Sequence, residues 1–316
     1  MEKLKIFFIS IIPLLVVSLI GLCIYNNTNE VKVKSICKNL KLIDVNIHHN
    51  QALDAIEFSK EKGIEIPDTI INFDTHSDIY VYQGIDEKGA HIYDWLNEFL
   101  AKNKNATTLY WVMPEDETKM KDFDKIFKET DVKDEDMSLF GNSKKKPEKI
   151  NPKISETPLV QEFLADTQTS YMEEIVSEKD EEKLNKTRFK KVKIITCTEK
   201  TLPNFRGKNV ILSIDMDYIS NSGFDTLNGW KHNYTSAQIE KAITNMLTTI
   251  RKKNIQPTII TISLSPFYVP KKDEEQLAYF VEFFLEYSGK KDILQKYTRT
   301  LNNPQTKPGQ KKYDGI

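Results

Sequence analysis

At 316 residues the chain is long enough to bury one large α/β core or two modest ones. Its 39% hydrophobic and 29% charged content is that of a globular protein, and a formal net charge of -1 argues against a nucleic-acid-binding surface. Three cysteines, Cys23, Cys37 and Cys197, none in a Cys-x-x-Cys pair, argue against a disulfide framework or a thiolate zinc site. Only a Cys37–Cys197 pairing in an oxidising compartment stays open.

The N-terminus comes first. The uncharged run from Ile6 to Tyr25 follows Lys3 and Lys5 and has about the twenty-residue length of a bilayer-spanning helix. It lacks the short apolar core and small-x-small site of a cleaved signal. Residues 1–30 are therefore expected to form a single-pass membrane anchor, with the catalytic domain on the extracytoplasmic side. Lys32, Lys34, Lys38 and Lys41 just after the span pull the orientation the other way.

From Lys41 onward short apolar runs alternate with longer amphipathic ones. Residues 42–47, 69–73, 107–112, 192–197, 210–214 and 258–262 read as strands, rich in Ile and Val and without polar alternation, as in a parallel sheet covered on both faces. Residues 51–62, 93–102, 236–253 and 273–287 read as helices, the third with Ile239, Ala242, Ile243 and Met246 at helical spacing. Strand and helix alternation predicts an α/β fold with a mostly parallel, doubly wound sheet sandwiched between helices in three layers, its site outside the carboxyl ends of the strands. Residues 114–190 break the rhythm with dense Lys, Glu and Asp. They are expected to be a charged insertion with surface helices over 158–165 and 171–178, either a solvated excursion or a lid over the site. One domain is thus expected over 31–300, followed by a frayed tail at 301–316.

Candidate ligands follow three of the strands. The first is followed by His48, His49 and Asn50, the second by Asp74, His76 and Asp78, and the fifth by Asp215 and Asp217. Side chains two apart on extended chain share a face, so each set can converge on one point. A turn just past a strand also favours Asp, Thr and Ser, and for the second stretch taken alone the two readings are balanced. Three such strand ends on one parallel sheet, however, would gather two His and four Asp in one crevice. Buried carboxylates at that density require cations or protons. Oxygen ligands with imidazole suit Mn2+, with Zn2+ or Fe2+ compatible, and six ligands are enough for two ions.

Asp74-Thr75-His76-Ser77-Asp78 resembles the Asp-x-His-x-Asp motif of the arginase and agmatinase (ureohydrolase) superfamily, and Ser213-Ile214-Asp215-Met216-Asp217 resembles its Ser-x-Asp-x-Asp motif. His48-His49-Asn50 stands at that superfamily's Asp-His-Ser turn, with His49 at the ligand position. His49-Asn50-Gln51-Ala52-Leu53 and Trp111-Val112-Met113-Pro114 are closer to an uncharacterised ureohydrolase-like family that includes the peptide arginases. The resemblance implies an arginase/deacetylase-like fold in which Asp74 and Asp215 bridge two metals, His49 and Asp78 complete one site, and His76 and Asp217 the other. It implies a water shared by two Mn2+ ions as nucleophile on a trigonal carbon, with Asp78 accepting its proton. It also implies that His91, 13 residues after Asp78, protonates the leaving amine; otherwise His91 is a surface histidine opening a helix.

Two positions depart from the superfamily. Ser263 stands where arginases carry the guanidinium-binding Glu, and no Asp-Pro follows Asp217. The expected activity is hydrolysis of a linear C–N bond, in a guanidino group of a peptide or small molecule. The alternatives are deacetylase-like amide hydrolysis on the same fold and a non-catalytic, metal-stabilised module tethered to the membrane. Reading Asp215-Met216-Asp217 as a glycosyltransferase Asp-x-Asp leaves Asp74, His76 and Asp78 without a role. His232 is a further candidate for substrate contact, and nucleic acid is not an expected partner.

Overall fold

The computed structural model describes residues 28–79, 95–115, 156–175, 188–222 and 234–289, with the single positions 154, 180 and 184. Eight strands form one sheet: β1 (Leu42–Asn46), β2 (Thr69–Phe73), β3 (Thr108–Met113), β4 (Leu159–Asp166), β5 (Met172–Glu174), β6 (Phe189–Thr198), β7 (Ile211–Asp215) and β8 (Ile259–Ser263). Five helices accompany them: α1 (residues 28–36), α2 (Ala52–Glu61), α3 (Trp95–Lys102), α4 (Ser236–Lys252) and α5 (Glu274–Ser288). The sheet order is β1-β8-β7-β2-β3-β6-β4-β5, and every pair from β1 across to β6 is parallel.

All five residues are buried in each of β2, β7 and β8. Their alternate side chains feed two separate cores. Ile71, Phe73, Leu212, Ile214, Ile260 and Ile262 pack with α1, α4 and α5. On the opposite face Ile70, Ile211 and Ile259 pack with α2 and α3. The α/β expectation, with a mostly parallel sheet between two helical layers, therefore holds for the described residues.

That second face changes character along the strands. The register aligns Leu42, Ile259, Ile211 and Ile70 in one layer. Two residues on, the layer is Asp44, Thr261, Ser213 and Asn72, and then Asn46, Ser263 and Asp215. An apolar floor thus gives way to a polar column rising towards the carboxyl ends of the strands. Buried polar groups persist only when bonded. Here Thr261 Oγ1 donates to Ser213 Oγ at 3.2 Å and Ser263 Oγ to Asn46 Oδ1 at 2.6 Å.

The column stands at the point where the chain winds outward in both directions. From β2 the chain passes through α3 to its neighbour β3, and from β7 through α4 to its neighbour β8 on the other side. The adjacent β2 and β7 therefore flank the crevice where open α/β sheets bind ligands.

One expectation is overturned. The surface helices expected over 158–165 and 171–178 are not found among the described residues: β4 and β5 occupy 159–166 and 172–174, adding two antiparallel strands to the edge of the sheet, and 176–178 lie outside the described residues. Leu159, Val160, Phe163 and Leu164 suit helical spacing as well as a strand, and the exposed edge of β6 decides between them. Eight residue pairs, from Leu159↔Thr196 to Asp166↔Phe189, zip β4 onto β6. The charge that suggested a solvated helix is paired across strands, Glu162 lying 2.5 Å from Lys191 and 3.8 Å from Lys193. No helix among the described residues is long and apolar enough to cross a membrane. The apolar run 6–25, the rest of the insertion and the tail lie outside those residues.

Candidate metal centre

The ligand-bearing residues are gathered by turns rather than by strand alternation. β2 ends at Phe73, and Asp74 N still bonds Val112 O at 3.3 Å. Asp74 Oδ1 then accepts from the amide of His76 at 2.7 Å, a side-chain turn that folds the chain back on the strand end. Asp215 does the same at the end of β7, its Oδ1 accepting from Asp217 N at 3.0 Å. Thr75 joins the two turns, donating from Oγ1 to Asp217 O at 3.0 Å and from its amide to Asp217 Oδ1 at 3.3 Å. Asp78 reaches the cluster from a left-handed backbone, φ 51, rather than from extended chain. Turn chemistry and ligand convergence, balanced in the sequence, coincide here.

His49 opens a short 3-10 turn after β1, where Gln51 Oε1 accepts from the amides of Ile47 and His48. Its Nε2 lies 2.7 Å from Ser213 Oγ on β7. Its Nδ1 faces Asp78 Oδ2 at 2.7 Å, Asp74 Oδ2 at 3.0 Å and Asp215 Oδ2 at 3.2 Å. On the other side of Asp74, His76 Nδ1 lies 2.8 Å from Asp217 Oδ2 and 3.8 Å from Asp74 Oδ1. Two groups result, an inner one of His49, Asp74 and Asp78 and an outer one of Asp74, His76 and Asp217, each with donor atoms within 4.8 Å of one another. Asp74 is common to both. Asp215 touches the inner group through His49 and takes a hydrogen bond from Ser265 Oγ at 2.6 Å.

The contacts have the lengths of hydrogen bonds without their alignment. His49 Nδ1 and Asp217 Oδ2 are buried and make no hydrogen bond within the chain. Donors that point at a shared centre sit in just this way. With ligand bonds of about 2.1 Å, adjacent corners of an octahedron are about 3 Å apart, which matches the spacings around His49. The imidazole and carboxylate set can hold a metal ion.

Electrostatics agree with that fit. Burial pushes the Asp74 carboxyl up to about 7, with the Asp78 charge adding to it and His49 opposing. Burial likewise lifts Asp217 to about 8, reinforced by Asp215 and Asp74. Burial disfavours a charged His76, but Asp217 outweighs it and brings the imidazole to about 10. For His49 the surrounding carboxylates, Asp78 foremost, overcome burial and raise it well above its usual value. Asp215 ends below the usual range because bonds from His49 and Ser265 outweigh burial. Without a cation, the cluster holds protons in its place.

Access is one-sided among the described residues. His76 has 27% of its side chain exposed, whereas no other member exceeds 5%. Tyr268 packs against the His76 ring at 4.8 Å, and Phe267 stacks on His48 at 5.6 Å, so His48 turns away from the cluster that its neighbour joins. A surface hollow of about 400 Å3, lined by Glu156, Pro158, Lys200 and Thr201, contains no member of the cluster.

His49, Asp74, His76, Asp78, Asp215 and Asp217 thus lie together, while His91 and His232 lie outside the described residues. Ser263 is buried, its hydroxyl donating to Asn46 Oδ1 at 2.6 Å. Three contributors went unread in the sequence. Trp95 donates to Asp78 Oδ2 at 2.5 Å, Ser265 to Asp215, and Asn72 Nδ2 to Asp74 Oδ2 at 3.1 Å. Asn72 alone had a signal, standing two residues before Asp74 on the same face. The chain matches no protein-family model and no curated protein.

Proposed function

We propose that this chain is a metal-dependent hydrolase of linear C–N bonds, acting on a guanidino group of a peptide or small molecule. The observation that carries the proposal is the sharing of Asp74 between two His/Asp groups at the β2–β7 crevice. That arrangement supports a pair of ions, Mn2+ first, with Zn2+ or Fe2+ compatible. His49, Asp74, Asp78 and Asp215 would hold the inner ion, and Asp74, His76 and Asp217 the outer, Asp215 also reaching towards the second.

Two bound divalent cations supply Lewis acidity at a trigonal carbon and acidify water at neutral pH. The residues do the rest. Deep burial of five of the six ligands keeps bulk water out and strengthens every charge interaction inside. Asp78 accepts the proton released as the carbon becomes tetrahedral. His91 returns a proton to the leaving amine. In sequence it lies between Asp78 and Trp95, which are bonded to each other at the cluster.

Ser263 favours one second reading. With a hydroxyl bonded to Asn46 where a carboxylate would bind a guanidinium, deacetylase-like amide hydrolysis is the second reading. In either case the apolar run 6–25 would tether the domain to a membrane.

Full chain purified in detergent and loaded with Mn2+ should release urea from guanidino compounds or free amine from acylated ones. Turnover should vanish in Asp74→Ala. Full metal loading with no release from either class would leave a metal-stabilised binding module instead.

A further inference from the structure

Trp95, the first residue of α3, is completely buried. Its indole Nε1 donates to Asp78 Oδ2 at 2.5 Å, and its ring lies 4.9 Å from that of His49, tilted by 51°. The next residue adds a main-chain bond, Leu96 N to Asp78 O at 3.3 Å. The first turn of α3 therefore holds Asp78 by side chain and backbone together, in a left-handed conformation that aspartate readily adopts.

The chemistry of the indole makes this hold specific. Its N–H only donates, and a bond from it to a buried carboxylate is charge-assisted. With Oδ2 engaged on that side, Asp78 can turn only part of its lone-pair set towards an ion, and His49 Nδ1 at 2.7 Å from the same oxygen fixes the direction. Trp95 thus touches two of the four residues assigned to the inner ion, Asp78 and His49. The other tryptophan among the described residues behaves differently, Trp111 Nε1 donating at 3.0 Å to the main-chain oxygen of Asp74 and not to a ligand atom.

We infer that Trp95 is a positioning residue for the inner metal ion, setting its affinity by orienting Asp78 and His49 while leaving the outer ion untouched. This rests on the two-ion reading above. Partners that orient metal ligands are worth about 10- to 100-fold in affinity, whereas a tryptophan that merely fills space would affect both ions through overall stability.

Calorimetric titration of the full chain with Mn2+ separates these outcomes. Trp95→Phe keeps an aromatic ring and removes the N–H. It should weaken one of the two binding events by about 10- to 100-fold and leave the other unchanged. Two unchanged events, or two weakened equally, would overturn the inference while leaving the metal reading in place. No uptake by the unmodified chain would end both. A second measurement does not depend on that variant folding. In the 15N-indole spectrum of the unmodified chain, which has three tryptophans, Trp111→Phe and Trp230→Phe identify the Trp95 signal by elimination. That signal should shift with the first equivalent of Zn2+, and a signal indifferent to Zn2+ would overturn the inference.

Discussion

His49 is surrounded by more negative charge than one imidazole can neutralise. Three carboxylate oxygens approach its Nδ1 within 3.2 Å, and Asp217 lies beyond Asp74. In the metal-free chain protons compensate, and this has a definite pH signature. The carboxyls of Asp74 and Asp217 are raised, so the folded state binds their protons more tightly than the unfolded state does. The stability they contribute is complete below the unfolded carboxylate range near pH 4 and is lost as pH rises through about 7 and about 8. His76 acts in the same direction, its contribution complete below about 6.5 and lost through about 10. In chelator, the melting temperature should therefore fall from about pH 5 to about pH 8. Added Mn2+ should restore it, with a growing effect as pH rises, because ligands must shed protons to bind. A chelated chain that grew more stable over that interval would contradict the assignment of these shifts.

Most elements were legible in the sequence because their composition had one solution. β2, β7 and β8 are short Ile-rich runs buried on both faces, and their observed limits fall within a residue of the pattern. The Thr235/Gln238 capping box marks the start of α4 just as clearly. β4 and β5 were not legible, because an apolar pair at helical spacing amid charge fits two structures and the edge of β6 chooses between them. Phe163 tests the choice. As part of β4 it is 1% exposed and packs in the α2/α3 core. Phe163→Ala should lower the unfolding free energy by about 3–5 kcal/mol in a denaturant titration. A loss of under about 1 kcal/mol, typical of a surface position, would argue against the strand.

At the scale of the whole molecule, the site is a product of winding. The chain brings β1, β2 and β7 to one crevice from positions 42–46, 69–73 and 211–215, and the residues that follow each strand meet there. Paired Asp-x-His-x-Asp and Asp-x-Asp spacings made five of these side chains visible in advance, and His48-His49-Asn50 after the first strand supplied the sixth, His49. Trp95 and Ser265 were hidden because nothing in their local sequence marks them, and only the packing of α3 and of the loop after β8 delivers them. The two cysteines among the described residues bear no role here: Cys37 and Cys197 are free, and burial pushes each thiol up to about 12.

The most direct test of the central claim is metal content by mass spectrometry on the purified full chain, compared with Asp74→Ala. Because Asp74 belongs to both groups, about two equivalents of Mn2+ should be present in the parent chain and both should be lost together in the variant. An Asp74→Ala chain that folds and keeps its full complement, or a parent chain that takes up no metal on reconstitution, would contradict a shared centre at this crevice.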